Sequence, residues 1–288
     1  MAAPGRKEVD LYTATPDDQS CGRRTIEDVR IASAGHAVFA ATLIVLGVLG
    51  LITGNFNSLW LPVPKGMPAR EALAYLTAVI SVAAGIGLLW QRTAAPAARV
   101  LVAYFLVWLL VLRLPAMLVA PDVETSWAAS KTAVMLAAAW VLYVWFATTW
   151  DTQRLGAAAG DNGLRVARVL YALALIPFGL AHFAFLNRTA SLVPGWLPSH
   201  VAWANFTGWA FIAAGVGMLV GVCARLAAAL SALEMGLFLL LVWIPIMAAG
   251  SRDAFQWGET IVTWVLTAAA WVVADSYRGV RWLAVDER

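Results

Sequence analysis

Few residues in this sequence have the type and the setting for chemistry, and most of those stand alone in apolar surroundings. Glu234 interrupts the apolar run 225–248, His182 stands near the end of the run 165–186, and His200 follows in the next polar stretch. Arg113 precedes Pro115 near the end of the run 97–119, Glu259 opens the run 259–276, and Trp196 lies in the Pro-rich segment 193–198. An ionisable residue inside a long apolar run is costly and is a functional candidate by default. A carboxyl at the depth of Glu234 is expected to be neutral. It then either carries a proton or donates a hydrogen bond to a carbonyl ligand such as a quinone. The alternative is a structural carboxyl bonded to a backbone carbonyl or a tyrosine of a neighbouring helix.

Arg113 either awaits an anionic ligand, pairs with Glu259 or Asp253, or extends to lipid headgroups. His182 either bonds the Pro-rich loop or joins His200 and Glu259 around a divalent cation, although no tight ligand spacing supports a metal. His36 is predicted at the opposite surface from His182, which excludes a haem held between them. There is no Walker loop, no Gly-x-Gly-x-x-Gly, no His-Glu-x-x-His and no credible Ser/His/Asp set. Catalysis by this chain alone is not expected. Cys21 and Cys223 form no Cys-x-x-Cys, so thiol exchange and thiolate metal sites are not expected either.

The elements that must position these residues are membrane helices. The 288 residues are 61% hydrophobic and 13% charged, against about a quarter charged in soluble domains. Runs of 18 or more nearly uncharged residues recur, each long enough to cross about 30 Å of hydrocarbon. Spans are predicted at 33–54, 72–91, 97–119, 128–149, 165–186, 202–221, 225–248 and 259–276. A polar tail occupies 1–32, with a short interfacial helix over 25–31, and a second tail occupies 277–288. The net charge of +3 does not mark a nucleic-acid binder, because the basic residues lie between spans and form no patch with interleaved aromatics. Counting Lys and Arg by loop places both termini in the cytoplasm, with Lys65, Arg70, Lys131, Arg188 and Arg252 outside. The setting is the bacterial inner membrane, with the bilayer as the first partner.

The chain repeats itself. Shifted by 130 residues, Val63–Met117 matches Val193–Met247 without a gap, with 18 of 55 positions identical. Ten of these are Ala or Leu; the other eight carry the signal. They are Val63, Pro64, Pro68, Thr77, Gly85, Gly87, Pro115 and Met117, matched by Val193, Pro194, Pro198, Thr207, Gly215, Gly217, Pro245 and Met247. Each copy, 33–150 and 164–276, has four spans, so the two run the same way through the bilayer. The expected fold is all-α: a polytopic bundle of about eight transmembrane helices, built as two parallel four-helix repeats side by side. Pro64, Pro68, Pro194 and Pro198 stiffen the outer loops, and Pro115 and Pro245 bend the third span of each copy. Paired interruptions of this kind are a pointer to a transport site, or else simply shape a bundle.

Gly179-Leu180-Ala181-His182 at the end of a first span, Val193-Pro194-Gly195-Trp196-Leu197-Pro198 in an outer loop and Ala213–Gly217 in a second span together resemble the DoxX-like family of bacterial membrane proteins. The resemblance covers about 165–276, and the first copy looks like a diverged duplicate. It implies a four-helix membrane unit, with some members linked to quinone-coupled sulfur oxidation or to membrane redox complexes. The Cys-x-x-Cys of the thiol-active relatives is absent here. The leading expectation is a membrane component that binds a small lipophilic ligand, a quinone, for a redox partner protein. The candidate site comprises Glu234, His182, Arg113, Trp196 and Glu259. A small-molecule or ion transporter and a structural anchor without a ligand are the alternatives.

Overall fold

The computed structural model describes residues 31–64 and 66–284. The expected interfacial helix at 25–31, Cys21, Lys65 and the last four residues lie outside the described residues or at their edge. Eight helices are long and apolar enough to span a membrane: α1 (Ala34–Thr53), α2 (Arg70–Leu89), α3 (Gln91–Val119), α4 (Val123–Phe146), α5 (Asp161–Ala184), α6 (His200–Val220), α7 (Ala224–Ala248) and α8 (Ala254–Asp275). This is a multi-pass membrane protein. Four helices begin four to six residues before the spans read from hydropathy. Hydropathy marks where the chain meets hydrocarbon, whereas a helix starts at its cap. Asp122 accepts from the Thr125 N–H and Asp253 from the Gln256 N–H, so α4 and α8 start in the polar zone.

The four spans of the two halves agree at the offset of 130, while the outer loop of the second half carries a helix, Leu186–Leu192, that the first half lacks. Ala69 and Ser199, 130 residues apart, both precede a second span with a left-handed backbone (φ 51° and 56°). The third span of each half widens into a π-helical segment, Trp108–Arg113 and Leu239–Trp243, just before Pro115 and Pro245. Proline has no N–H to donate and its ring crowds the preceding turn. A wider turn there relieves the crowding. Gly85 and Gly215 mark the close crossings of the first two spans in each half. A Cβ on them would stand 2.8 Å from the Ala40 carbonyl and 2.6 Å from the Ala172 carbonyl. Small residues let helix backbones approach where lipid removes the hydrophobic drive.

The two halves meet through their fourth spans. Within each, successive spans pack in order, but the fourth span turns to the other half: α4 packs on α5 and α8 on α1, with α4 and α8 touching at the centre. Both central helices carry a buried alanine triplet, Ala137–Ala139 and Ala268–Ala270.

At the end where α1 begins and α8 finishes, here called the near face, polar contacts tie the helices. The Gly35 N–H donates to Asp275 Oδ2 (3.3 Å). The Ala32 N–H donates to His36 Nδ1 (3.2 Å), which leaves Nε2 to donate to the Leu88 carbonyl (3.0 Å). Asp151, fully buried in the short helix Thr149–Arg154, receives both Arg99 nitrogens at 2.7 Å, the Thr148 N–H and hydroxyl, and the Tyr143 hydroxyl. The Arg99 guanidinium, aided by Thr148, holds the Asp151 carboxyl well below the usual carboxylate range.

A depressed carboxyl pKa stabilises the fold above the unfolded value of about 3.9, and that stabilisation is lost as pH falls through the folded value. Asp151→Asn is expected to cost about 2–3 kcal/mol at pH 7 by stripping a charge-assisted network from buried donors. Thermal unfolding in detergent measures this. The wild-type advantage over the variant should hold from pH 7 to pH 5 and shrink below about pH 4.

Candidate functional site

The second half encloses a polar group without a partner. On α7, Ser231, Glu234 and Phe238 follow at the spacing that puts residues on one face. The Ser231 hydroxyl bonds the Tyr171 hydroxyl of α5 (3.0 Å). The Phe238 ring stacks on His182 at 5.7 Å and meets Phe211 of α6 at 6.1 Å. The His182 Nδ1 N–H donates to the Phe178 carbonyl one turn back (2.9 Å), so Nε2 is the acceptor nitrogen of the ring. Between the Tyr171–Ser231 pair and this aromatic wall lies Glu234, whose Oε1 is buried with no hydrogen-bond partner. The structure thus brings Glu234 and His182 to one region, one helical turn apart along the α7 face. It adds Tyr171, Ser231, Phe211 and Phe238, which the sequence reading did not single out. Ser231 was legible as the residue one turn before Glu234; Tyr171, on another helix, was not.

The corresponding space in the first half is filled. Tyr104 stands at the position of Glu234, and Trp108 at that of Phe238. Into their midst the loop after α1 inserts Trp60, 2% exposed. Its ring lies 5.6 Å from Phe105 in a stacked arrangement, 5.2 Å from Tyr104 and 4.9 Å from Trp108. In the second half the residue at this position is Ala190.

Arg113 holds that plug in place. It is 3% exposed and donates to the carbonyls of Trp60 (2.7 Å), Pro62 (2.8 Å) and Leu61 (3.3 Å), and to the Thr132 hydroxyl (3.4 Å). It neither pairs with Glu259 or Asp253 nor reaches to headgroups. A loop folded back into the bundle brings three carbonyls that need donors, and a guanidinium supplies them in a fixed fork. Arg113 also belongs to the other half from Glu234.

The remaining candidates fall elsewhere. Trp196 is 71% exposed in the second outer loop, where the Leu197 N–H closes a turn on the Pro194 carbonyl (2.9 Å). Glu259 lies within the fields of Lys131 and Arg188 at the far end of the seam between the halves. Lys131, counted among the outer-side charges and lying within the predicted fourth span, is buried in α4 with its ammonium 4.7 Å from the Trp127 ring centre. His182 bonds its own helix and not the Pro-rich loop. Pro64 and Pro68 flank the loop that Arg113 clamps, and Pro194 and Pro198 its counterpart. Among the described residues no three His, Cys, Asp or Glu side chains gather as a metal site.

Arg113→Gln is expected to destabilise the protein by about 3 kcal/mol, because buried loop carbonyls lose their donors. Arg113→Lys should rescue less than half of this, since a single ammonium cannot span the three carbonyls. Thermal unfolding in detergent checks both, and Trp60 fluorescence should shift to the red as the plug loosens.

Comparisons with known protein families, with curated proteins and with solved structures find no match to this chain.

Proposed function

We propose that this protein is a DoxX-like component of the bacterial inner membrane that holds a small lipophilic ligand, a quinone, in its second half for a redox partner protein. The observation that carries the reading is the buried, unpartnered Glu234 Oε1 in the one half whose interior is not plugged by its own loop. An unsatisfied polar group in hydrocarbon costs free energy that a ligand with complementary atoms recovers. A neutral carboxyl donates to a quinone carbonyl. The acceptor nitrogen of His182 suits a hydroxyl of the reduced form, and the rings of Phe238 and Phe211 suit a flat conjugated ring. Electrons would come from the partner protein, and this chain would bind and orient the ligand.

The near face is proposed to be cytoplasmic. Among the described residues Arg92, Arg99, Arg154, Arg165, Arg168, Arg225, Arg278 and Arg281 belong to near-face ends and loops, whereas the far loops carry Arg70, Arg188 and Arg252. Positive residues accumulate on the cytoplasmic side. A C-terminal phosphatase fusion, active only after export, is expected to be inactive, and activity there would reverse the orientation.

A second reading, transport of a small molecule or ion, draws on the matched π segments and prolines in the third span of each half. Protein purified in mild detergent should release about one quinone per chain on solvent extraction and mass spectrometry. Glu234→Leu and Ala190→Trp, the latter copying the first half's plug, should each lower this at least tenfold. Absence of quinone, with proteoliposome uptake abolished by Glu234→Gln, would favour transport. Full tolerance of Glu234→Leu and His182→Ala in both assays would sink both readings in favour of a structural anchor.

A further inference from the structure

The two seams between the halves are unequal. α5 lies along α4 over most of its length, whereas α1, the counterpart of α5, meets α8 over a shorter stretch. Beside the looser seam, within the second half, a groove of about 650 Å³ runs between α7 and α8, with Val38 of α1 at its edge. Its floor is made of small residues, Ala232 and Gly236 of α7 and Ala268 of α8, and Leu240 and Trp271 rise beside it. The groove follows α7 from Arg225 to Leu240, about 22 Å of helix, which exceeds the depth of one leaflet at about 15 Å.

The near-face end of the groove is cationic. Arg225, Asp275, Arg278 and Trp282 line it there, two cations to one anion. Arg225 is held over the Trp282 ring at 4.1 Å and donates through one terminal nitrogen to the Val280 carbonyl (2.8 Å). Arg278 bonds Asp275 at 2.8 Å while its side chain remains 59% exposed. The first half has no such arrangement. Ala95 stands for Arg225, Thr148 for Arg278 and Leu106 for Gly236.

We propose that this groove is a binding site for one anionic phospholipid, with an acyl chain over Gly236 between α7 and α8 and the phosphate on Arg225 and Arg278. An apolar channel open to hydrocarbon matches a chain. Arginines where it reaches headgroup depth match an anionic head, and Trp282 matches the interfacial zone. The site is independent of the Glu234 region, which uses the Ser231–Glu234–Phe238 face of the same helix.

Native mass spectrometry of the full chain in detergent, with phosphatidylglycerol or phosphatidylcholine added, tests this. One phosphatidylglycerol should be retained at about a tenth of the phosphatidylcholine concentration needed. The double variant Arg225→Gln, Arg278→Gln should abolish the preference. Gly236→Leu, which places the first half's side chain in the groove, should lower retention of both lipids. Its backbone has room, since a Cβ there meets only Thr267 Cγ2 at 3.5 Å. Equal retention of the two lipids, or a preference unchanged in the double variant, overturns the proposal. So does a lipid-free dimer that Gly236→Leu dissolves, because a second copy would then cover the groove. If the double variant fails to fold, undiminished phosphatidylglycerol retention by Gly236→Leu is sufficient to overturn it.

Discussion

Inside a bilayer no water is present to satisfy a backbone amide or carbonyl, so each must find a partner within the protein. The helices answer this for most of the chain, and the exceptions shape everything else. Pro115 and Pro245 break the ladder of the third spans, and each is preceded by a π-helical turn. The loop after α1 turns inward and brings the carbonyls of residues 60 to 62 with it, and Arg113 is the donor that makes this tolerable. With the loop comes Trp60, and the first half is thereby filled by its own chain. The second half has Trp243 where the first has Arg113, and Ala190 where it has Trp60. It lacks both the donor and the plug, and the group left unsatisfied there is Glu234.

Duplication followed by divergence explains this contrast on a shared set of eight spans. The backbones of the two halves agree even at uncommon features, the left-handed residues Ala69 and Ser199 and the widened turns before proline. What differs is the outer loop, a turn at Trp60 against a helix over Leu186–Leu192, and the side chains that each half places inside. One half is filled by its own chain, although the indole Nε1 of Trp108 is buried there without a hydrogen-bond partner. Its stacked aromatics and its clamped loop leave little room, and they support the fourth spans, α4 and α8, that meet at the centre. The other keeps an unpartnered carboxyl one helical turn from the ring cluster of His182, Phe211 and Phe238.

Much of this was written in the sequence, and the rest depends on contacts that sequence order hides. The eight spans follow from runs of apolar residues, because the requirement for some 20 of them is a property of the bilayer. The repeat shows through Pro and Gly, since backbone geometry ties these residues to their positions. Glu234 stood out because a charge in an apolar run is rare. That it lacks a partner could be seen only once Tyr171 was found to bond Ser231 instead. Arg113 was read as free to meet an anion or the headgroups, because nothing local says that a loop 50 residues earlier folds back onto it. Lys131 fell inside the predicted fourth span and was counted with the outer-side charges, because nothing local shows that its ammonium packs on Trp127. The capping at Asp122 moves the start of this helix five residues earlier than the predicted span, which sets Lys131 two turns in.

The bond between the Gly35 amide and the Asp275 carboxylate has a topological consequence. It places the start of α1 beside the end of α8, just as the short helices between residues 149 and 159 place the end of α4 beside the start of α5. The helices therefore form a closed circuit that the polypeptide traverses once, and the joint between α4 and α5 is a second place, with a tighter seam, at which it could be opened. A circular permutant joined across the near face and opened between α4 and α5 would begin with the second half and end with the first, and would keep every helix contact described here.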